Sequence, residues 1–180
     1  TNALAAQVFA GAAFGEHILG LFRMDEQTVL VTEYFIEAGD TLCGRLIAEV
    51  AYGYGVTPLI HRSRDNPAPI LFPGNELRLA ADDRLVVLAT INSLQRIERG
   101  EARSPDCQVL VEKALSADAG FAGGNLIAQI VGCELSVARQ VMEQLPTYIP
   151  CLLYRHQARH LIRQLSRARV YSRFVAPVSP

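Results

Sequence analysis

The stretch from Val29 to Ile91 constrains the fold most, because runs typical of strands alternate in it with one run typical of a helix. The strand-like runs are rich in β-branched and aromatic residues, which suit a pleated surface. In the helix-like run, apolar residues recur at helical spacing after Asp40 and Thr41, two candidate capping residues. The predicted elements are a strand over 28–36, a helix over 42–51 and strands over 56–61, 70–72 and 85–91. This order predicts an α+β domain.

Three segments of this stretch carry a family resemblance: IEAGDTLCGRL, YGVTPLIHR and RLAADDRLVVLAT. In this order they resemble the C-terminal domain of RCK proteins, also called TrkA-C, over about residues 28–100. The family comprises ligand-sensing cytosolic domains of potassium channels and transporters. Its members usually have Gly-Asp before the last strand, where this chain has Asp82 and Asp83. The resemblance implies an RCK C-terminal (TrkA-C-like) β-α-β-β-β domain.

Residues 3–22 are rich in Ala and Leu and predict a helix. A membrane span is disfavoured, because Glu16 and His17 are costly in lipid. At this position RCK proteins have a crossover helix that packs on a partner subunit, so the resemblance implies a homodimer or higher even oligomer. An ordinary core helix within the chain is the alternative. The residues expected at the dimer interface are Ala6, Gly11, Phe14, Gly15 and Ile18.

Charge divides the chain into two parts. Residues 1–100 contain 8 Arg and 12 Asp or Glu, whereas residues 101–180 contain 9 Lys or Arg and 6 Asp or Glu. A Gly- and Pro-containing segment over 95–105 lies between them and predicts a linker. The expected organisation is a crossover helix over 1–24, a TrkA-C-like domain over 25–100 and a small α+β domain over 106–177.

The second part predicts a β-α-α-β-α-β order. The expected elements are a strand over 108–112, helices over 125–133 and 137–145, a strand over 148–153, a helix over 157–168 and a strand over 170–175. This order resembles the C-terminal domain of the ribosomal stalk protein and the adaptor that delivers substrates to the Clp protease. The resemblance is one of topology, so it implies a fold more than a function.

The sequence offers little for catalysis or metal binding. Its four cysteines have no C-x-x-C spacing, so we expect reduced thiols in a cytosolic protein and no structural metal. His156 and His160 have the i, i+4 spacing of metal ligands on a helix, but Gln157 follows the first of them and arginines surround both. The residues 120–125 predict a flexible entry to a helix rather than a phosphate loop. We therefore expect no enzyme activity and no cofactor.

Two basic groups are candidates for binding. His61, Arg62 and Arg64 lie at the end of a predicted strand and could bind a phosphate or carboxylate. Some domains of the family bind cyclic dinucleotides, so the resemblance implies a small anionic ligand, with a solvated loop as the alternative. The second group recurs at every fourth residue of the last predicted helix and forms either a basic surface or a solvated face: Arg155, Arg159, Arg163 and Arg167.

The resemblance to RCK proteins implies a cytosolic, ligand-sensing and dimerising regulatory region at the inner face of the membrane, controlling potassium ion transport. Its expected partner is a membrane-embedded potassium channel or transporter, either a separate protein or the rest of the same chain. No nucleic-acid partner is expected, since the net charge is −1. The alternative is a soluble adaptor or interaction module that recruits a protein or nucleic acid through the second domain.

Overall fold

The computed structural model describes residues 17–66 and 68–175. They form two compact α+β units, as the sequence predicts. The first unit comprises residues up to Pro73 together with Arg78–Ala102, and the second comprises Gly74–Leu77 and the residues from Arg103 onward. None of the helices in the described ranges is long and apolar enough to cross a bilayer.

The described part of the first unit is an antiparallel sheet of five strands, in the order β1-β2-β5-β3-β4, with two helices. Strand β5 lies at the centre, between β2 and β3. The elements are β1 (His17–Met24), β2 (Gln27–Phe35), α1 (Ile47–Tyr54), β3 (Thr57–Arg62), β4 (Ile70–Leu71), β5 (Arg84–Thr90) and α2 (Ile91–Glu98).

Alternation along the strands gives this sheet two unlike faces. One face packs against the helices and buries Leu30, Leu85 and Val87 completely. Val50 of α1 and Leu94 of α2 are buried in the same unit. The strand, helix, strand, short strand, strand order predicted for residues 28–91 is confirmed.

The predicted N-terminal helix is wrong where it can be compared. Residues 17–24 form β1, which pairs antiparallel with β2, and Ile18 lies opposite Thr32. A short apolar run fits a strand or a helix, and pairing with β2 decides in favour of the strand. The other expected interface residues, Ala6, Gly11, Phe14 and Gly15, lie outside the described residues.

Helix α1 begins later than predicted. The Asp40 carboxylate accepts from the Glu37 N–H at 2.7 Å and so closes a turn instead of capping the helix. The N-terminus of α1 is instead held by Glu49, whose carboxylate accepts from the Leu46 N–H at 2.7 Å. Leu42 lies in the loop before α1, and its side chain is buried in the core. The predicted apolar stripe therefore describes the core correctly but places the helix start too early.

The second unit is a three-stranded antiparallel sheet, in the order β7-β6-β8, covered by helices on one face. Its core includes Val109, Ile127, Leu161 and Leu165, all fully buried. The elements are β6 (Gln108–Ala114), α3 (Ala117–Ile127) with a π-helical turn at Ala128–Gly132, α4 (Leu135–Glu143), β7 (Thr147–Tyr148), α5 (Arg155–Arg167) and β8 (Val170–Val175).

The order predicted for this unit is confirmed, but two bounds are wrong. Ser116 caps α3 by accepting from the Ala119 N–H at 3.1 Å, so residues 120–125 lie inside a helix and not at its entry. The strand expected over 148–153 is reduced to β7, with a single bridge from Leu153 to Cys107.

The linker expected over 95–105 is also shorter. Helix α2 extends to Glu98, and the Arg96 guanidinium donates to the carbonyls of Gly53, Tyr54 and Glu101. Arg96 thus satisfies carbonyls at the C-terminal end of α1, where a cation is favourable. The first half of the expected linker therefore belongs to the first unit.

Candidate ligand site on the first unit

His61 lies in the core of the first unit and not at its surface. Its side chain and that of Asp83 are both almost fully buried, and Nε2 lies 2.9 Å from Oδ2. The same carboxylate oxygen accepts from the Ala80 N–H at 2.9 Å. The prediction that His61 contacts a ligand is therefore wrong: it joins β3 to the turn before β5.

The turn before β5 explains the departure from the family's Gly-Asp pattern. Asp82 has a φ of 69°, in the left-handed region that Gly adopts without strain. Its backbone N–H donates to the Ile36 carbonyl at 2.7 Å, and its carboxylate pairs with Arg64 at 2.7 Å. Position 82 is thus a glycine-like position occupied by Asp, whereas Asp83 keeps the buried role.

Arg62 and Arg64 do not converge on one point. Arg64 belongs to the loop after β3 and is largely exposed in its pair with Asp82. Arg62 lies on β3, and alternation places it on the sheet face opposite His61. There its guanidinium approaches the Glu33 carboxylate to 3.6 Å. An anionic ligand at either arginine must therefore compete with a carboxylate.

Arg62 has a neighbour that sequence reasoning missed. Arg84 of β5 is its cross-strand partner, so two guanidinium groups share the face. Like charges opposite each other destabilise a sheet, which favours an anion between them. The Arg84 guanidinium carbon lies 5.9 Å from the centroid of the Phe35 ring. The Glu33 carboxylate, which pairs with Arg62, also lies 3.8 Å from Nδ1 of His17. We call Glu33, Phe35, Arg62 and Arg84 the sheet-face cluster.

A cleft of about 620 Å³ adjoins this cluster and shares Glu33 and Phe35 with it. Its acidic lining residues also include Glu37, Asp40 and Glu98. Partial burial raises the pKa of Glu98, and the nearby Arg99 charge opposes this effect. The cleft can therefore accept neutral or donor-rich groups, whereas an anionic group fits better at Arg62 and Arg84.

The other candidate residues lie in the second unit. Arg155, Arg159, Arg163 and Arg167 are exposed along α5, as are His156 and His160. Within the described ranges, no three His, Cys, Asp or Glu side chains are grouped to hold a metal ion. Burial raises the pKa of the Cys107 and Cys133 thiols, and a raised pKa lowers the reactive thiolate fraction.

One comparison with known proteins identifies a domain. Residues 31–99 match the family model described as TrkA-C domain. These residues contain all of α1, β3, β4, β5 and α2, and the second half of β2. The TrkA-C domain suggested by the sequence is thereby confirmed over these residues, and a domain of this kind points to a regulatory role in potassium transport. No curated protein matches the chain significantly.

Proposed function

We propose that this chain is the ligand-sensing, dimerising regulatory region of a potassium channel or transporter and works at the cytosolic face of the membrane. The TrkA-C match over residues 31–99 carries the proposal. A ligand that binds one conformation better shifts the equilibrium toward it, which is the way a separate domain can control a transport pathway.

The sheet-face cluster is the proposed ligand site. A cyclic dinucleotide offers phosphates for Arg62 and Arg84 and flat bases for Phe35, of which about half the surface is exposed. Binding exchanges the Glu33 carboxylate for a phosphate at Arg62. The regulatory event is thus a change of ion-pair partner on the open face of the sheet.

The Arg62→Ala/Arg84→Ala variant should bind cyclic dinucleotides of adenine or guanine at least tenfold more weakly than the parent, because charge-assisted hydrogen bonds to phosphate are lost. Glu33→Gln should bind several-fold more tightly, since the competing charge is removed. Titration calorimetry measures both effects. Arg64→Ala is the matched control and should leave affinity unchanged. Equal losses for Arg64→Ala and the double variant, or no binding by the parent, would contradict the site.

Control of transport needs a separate measurement on the full-length membrane protein. In reconstituted liposomes, the Arg62→Ala/Arg84→Ala variant should keep its basal potassium flux and lose the response to ligand. A response that persists in the variant would move the ligand site elsewhere. A parent whose flux never responds to ligand would contradict ligand sensing itself.

Dimerisation is proposed through the side of the first unit that carries β1. Leu19, Phe22 and Met24 of this strand are substantially exposed, and exposed apolar groups of this kind mark interaction surfaces. Light scattering at about 50 µM, above most stable-dimer dissociation constants, should give a dimer for the parent. Leu19→Asp should shift it toward monomer, whereas Leu135→Asp in the second unit should not. A monomeric parent would contradict this proposal.

A further inference from the structure

A groove in the second unit runs beside its last strand. It has a volume of about 450 Å³ and lies between α5 and β8, and its lining residues are Arg159, Ile162, Arg163, Ser166, Arg167 and Phe174. A smaller recess shares Ile162 and Ser166 with it and includes Val170 and Ser172 of β8. The concave surface therefore follows β8 along most of its length.

Strand β8 also has a free edge. In the order β7-β6-β8 it pairs with β6 on one side, and among the described residues no strand pairs with its other side. An edge of this kind offers backbone N–H and C=O groups to an added strand. The groove and the free edge border the same strand, so an extended chain could use both.

The groove carries unpaired positive charge. Arg159, Arg163 and Arg167 have no carboxylate within 4.0 Å in the described part of the chain. Two neighbouring arginines are paired with carboxylates: Arg155 lies 3.9 Å from Asp106, and Arg173 lies 2.7 Å from Glu112.

Helix stability does not account for this row of arginines. Like charges at i, i+4 repel each other, and α5 has no acidic residue in its first turn to offset them. A row of cations that weakens its own helix is suited to an acidic partner, which would remove the repulsion on binding.

The spacing favours an extended partner. Four residues of helix rise about 6.0 Å, and two residues of strand advance about 6.6–6.8 Å. Carboxylates at every second residue of a strand can therefore reach successive arginines of α5. The alternate side chains would lie on the other sheet face, where Tyr171 is half exposed.

We propose that an extended acidic segment of a partner protein adds to β8 as a fourth strand, with its carboxylates on Arg159, Arg163 and Arg167. Phe174 and Ile162 then contact the aliphatic parts of the acidic side chains. This activity belongs to the second unit and is independent of ligand sensing by the first.

The probe is a fluorescein-labelled ten-residue peptide of alternating Glu and Val, titrated with the full chain in a polarisation assay. We expect micromolar binding that weakens at least tenfold in Arg159→Gln/Arg163→Gln. The matched control, Arg103→Gln/Arg139→Gln, removes the same charge elsewhere in the unit and should stay within twofold of the parent. Circular dichroism checks that all variants are folded.

Two further peptides separate strand addition from simple charge attraction. Methylation of the alternate backbone nitrogens that face β8 should abolish binding, because it removes the donors of the new ladder. A peptide of the same composition with all five Glu in one block should also bind at least tenfold more weakly. Equal binding of either peptide would overturn the proposal.

Other outcomes also overturn it. They are no binding of the alternating peptide at 1 mM, about the weakest affinity with meaning for a specific site, and equal binding by the two charge variants. Vesicles of phosphatidylglycerol and single-stranded RNA serve as competing anions. If the groove variant loses binding to either of these while no variant binds the peptide, the groove serves a membrane or a nucleic acid.

Discussion

Asp83→Ala should lower the free energy of unfolding of the first unit by about 3 kcal/mol, the low end of the cost of breaking a buried polar pair. The substitution removes the carboxylate that lies 2.9 Å from the buried Nε2 of His61 and that accepts from the Ala80 N–H. An unpaired buried donor costs more than the hydrogen bond contributes. Hydrogen exchange of peptides from β3 and β5 reports the effect without averaging over the second unit.

Asp82→Asn is the matched control for this prediction, because Asn removes the charge and tolerates the left-handed backbone at this position. Asp82 is adjacent in sequence and also holds an ion pair, but that pair with Arg64 is exposed to solvent. Exposed pairs contribute at most about 1 kcal/mol. His61→Ala combined with Asp83→Ala should cost less than the sum of the single variants, because both remove one interaction. Equal destabilisation by Asp82→Asn and Asp83→Ala would show that the buried pair stabilises the unit no more than the exposed pair does.

Gly123→Val should destabilise the second unit by about 3 kcal/mol, toward the upper end of the cost of overpacking a core. Helix α3 lies so close to its neighbours here that even a Cβ would be 3.0 Å from Met142 Cε and 3.1 Å from Val170 Cγ2. The two further carbons of Val require α3 to move away from α4 or β8. Hydrogen exchange of peptides from α3 and α4 should accelerate accordingly.

Gly120→Ala, in the same helix, should stabilise the second unit instead of destabilising it. A Cβ at Gly120 has no neighbour within 4 Å, so the better helix propensity of Ala should stabilise α3 by about 1 kcal/mol. Gly124→Ala meets only ordinary contacts, with Arg139 at 3.7 Å, and should also be tolerated. Destabilisation by Gly120→Ala as large as that by Gly123→Val would mean that backbone conformation, and not packing, requires these glycines.

The sequence predicts the buried residues of the core well, but it places the ends of several helices and strands wrongly. Apolar periodicity located the stripe that includes Ile47 and Val50, since burial imposes it. The start of α1 depends on the side chain of Glu49 reaching back to Leu46, which periodicity does not report. Similarly, the glycines of α3 were read as a flexible entry because the tight contact at Gly123 comes from residues distant in sequence.

The candidate site was predictable only in part, for a related reason. Arg62 was identified from its place at the end of a strand, but its neighbour Arg84 follows only from the register of β3 against β5. His61 was misjudged because its buried partner, Asp83, lies on another segment. The pattern of Asp82 and Asp83 held the available signal, since Asp82 adopts the left-handed backbone of a Gly position and Asp83 is the buried carboxylate.

The central position of β5 has a consequence for the order in which the first unit can form during synthesis. Strand β2 cannot take its place in the sheet until β5 has been synthesised, because Phe35 pairs with Arg84 and Val29 with Thr90. At roughly 5–20 residues per second, the ribosome needs a few seconds to make the intervening segment. During this time β1 and β2 can form only a hairpin, which is marginally stable alone. A nascent chain stopped before Arg84 should therefore remain protease-sensitive, and protection should appear abruptly once Thr90 has left the ribosome.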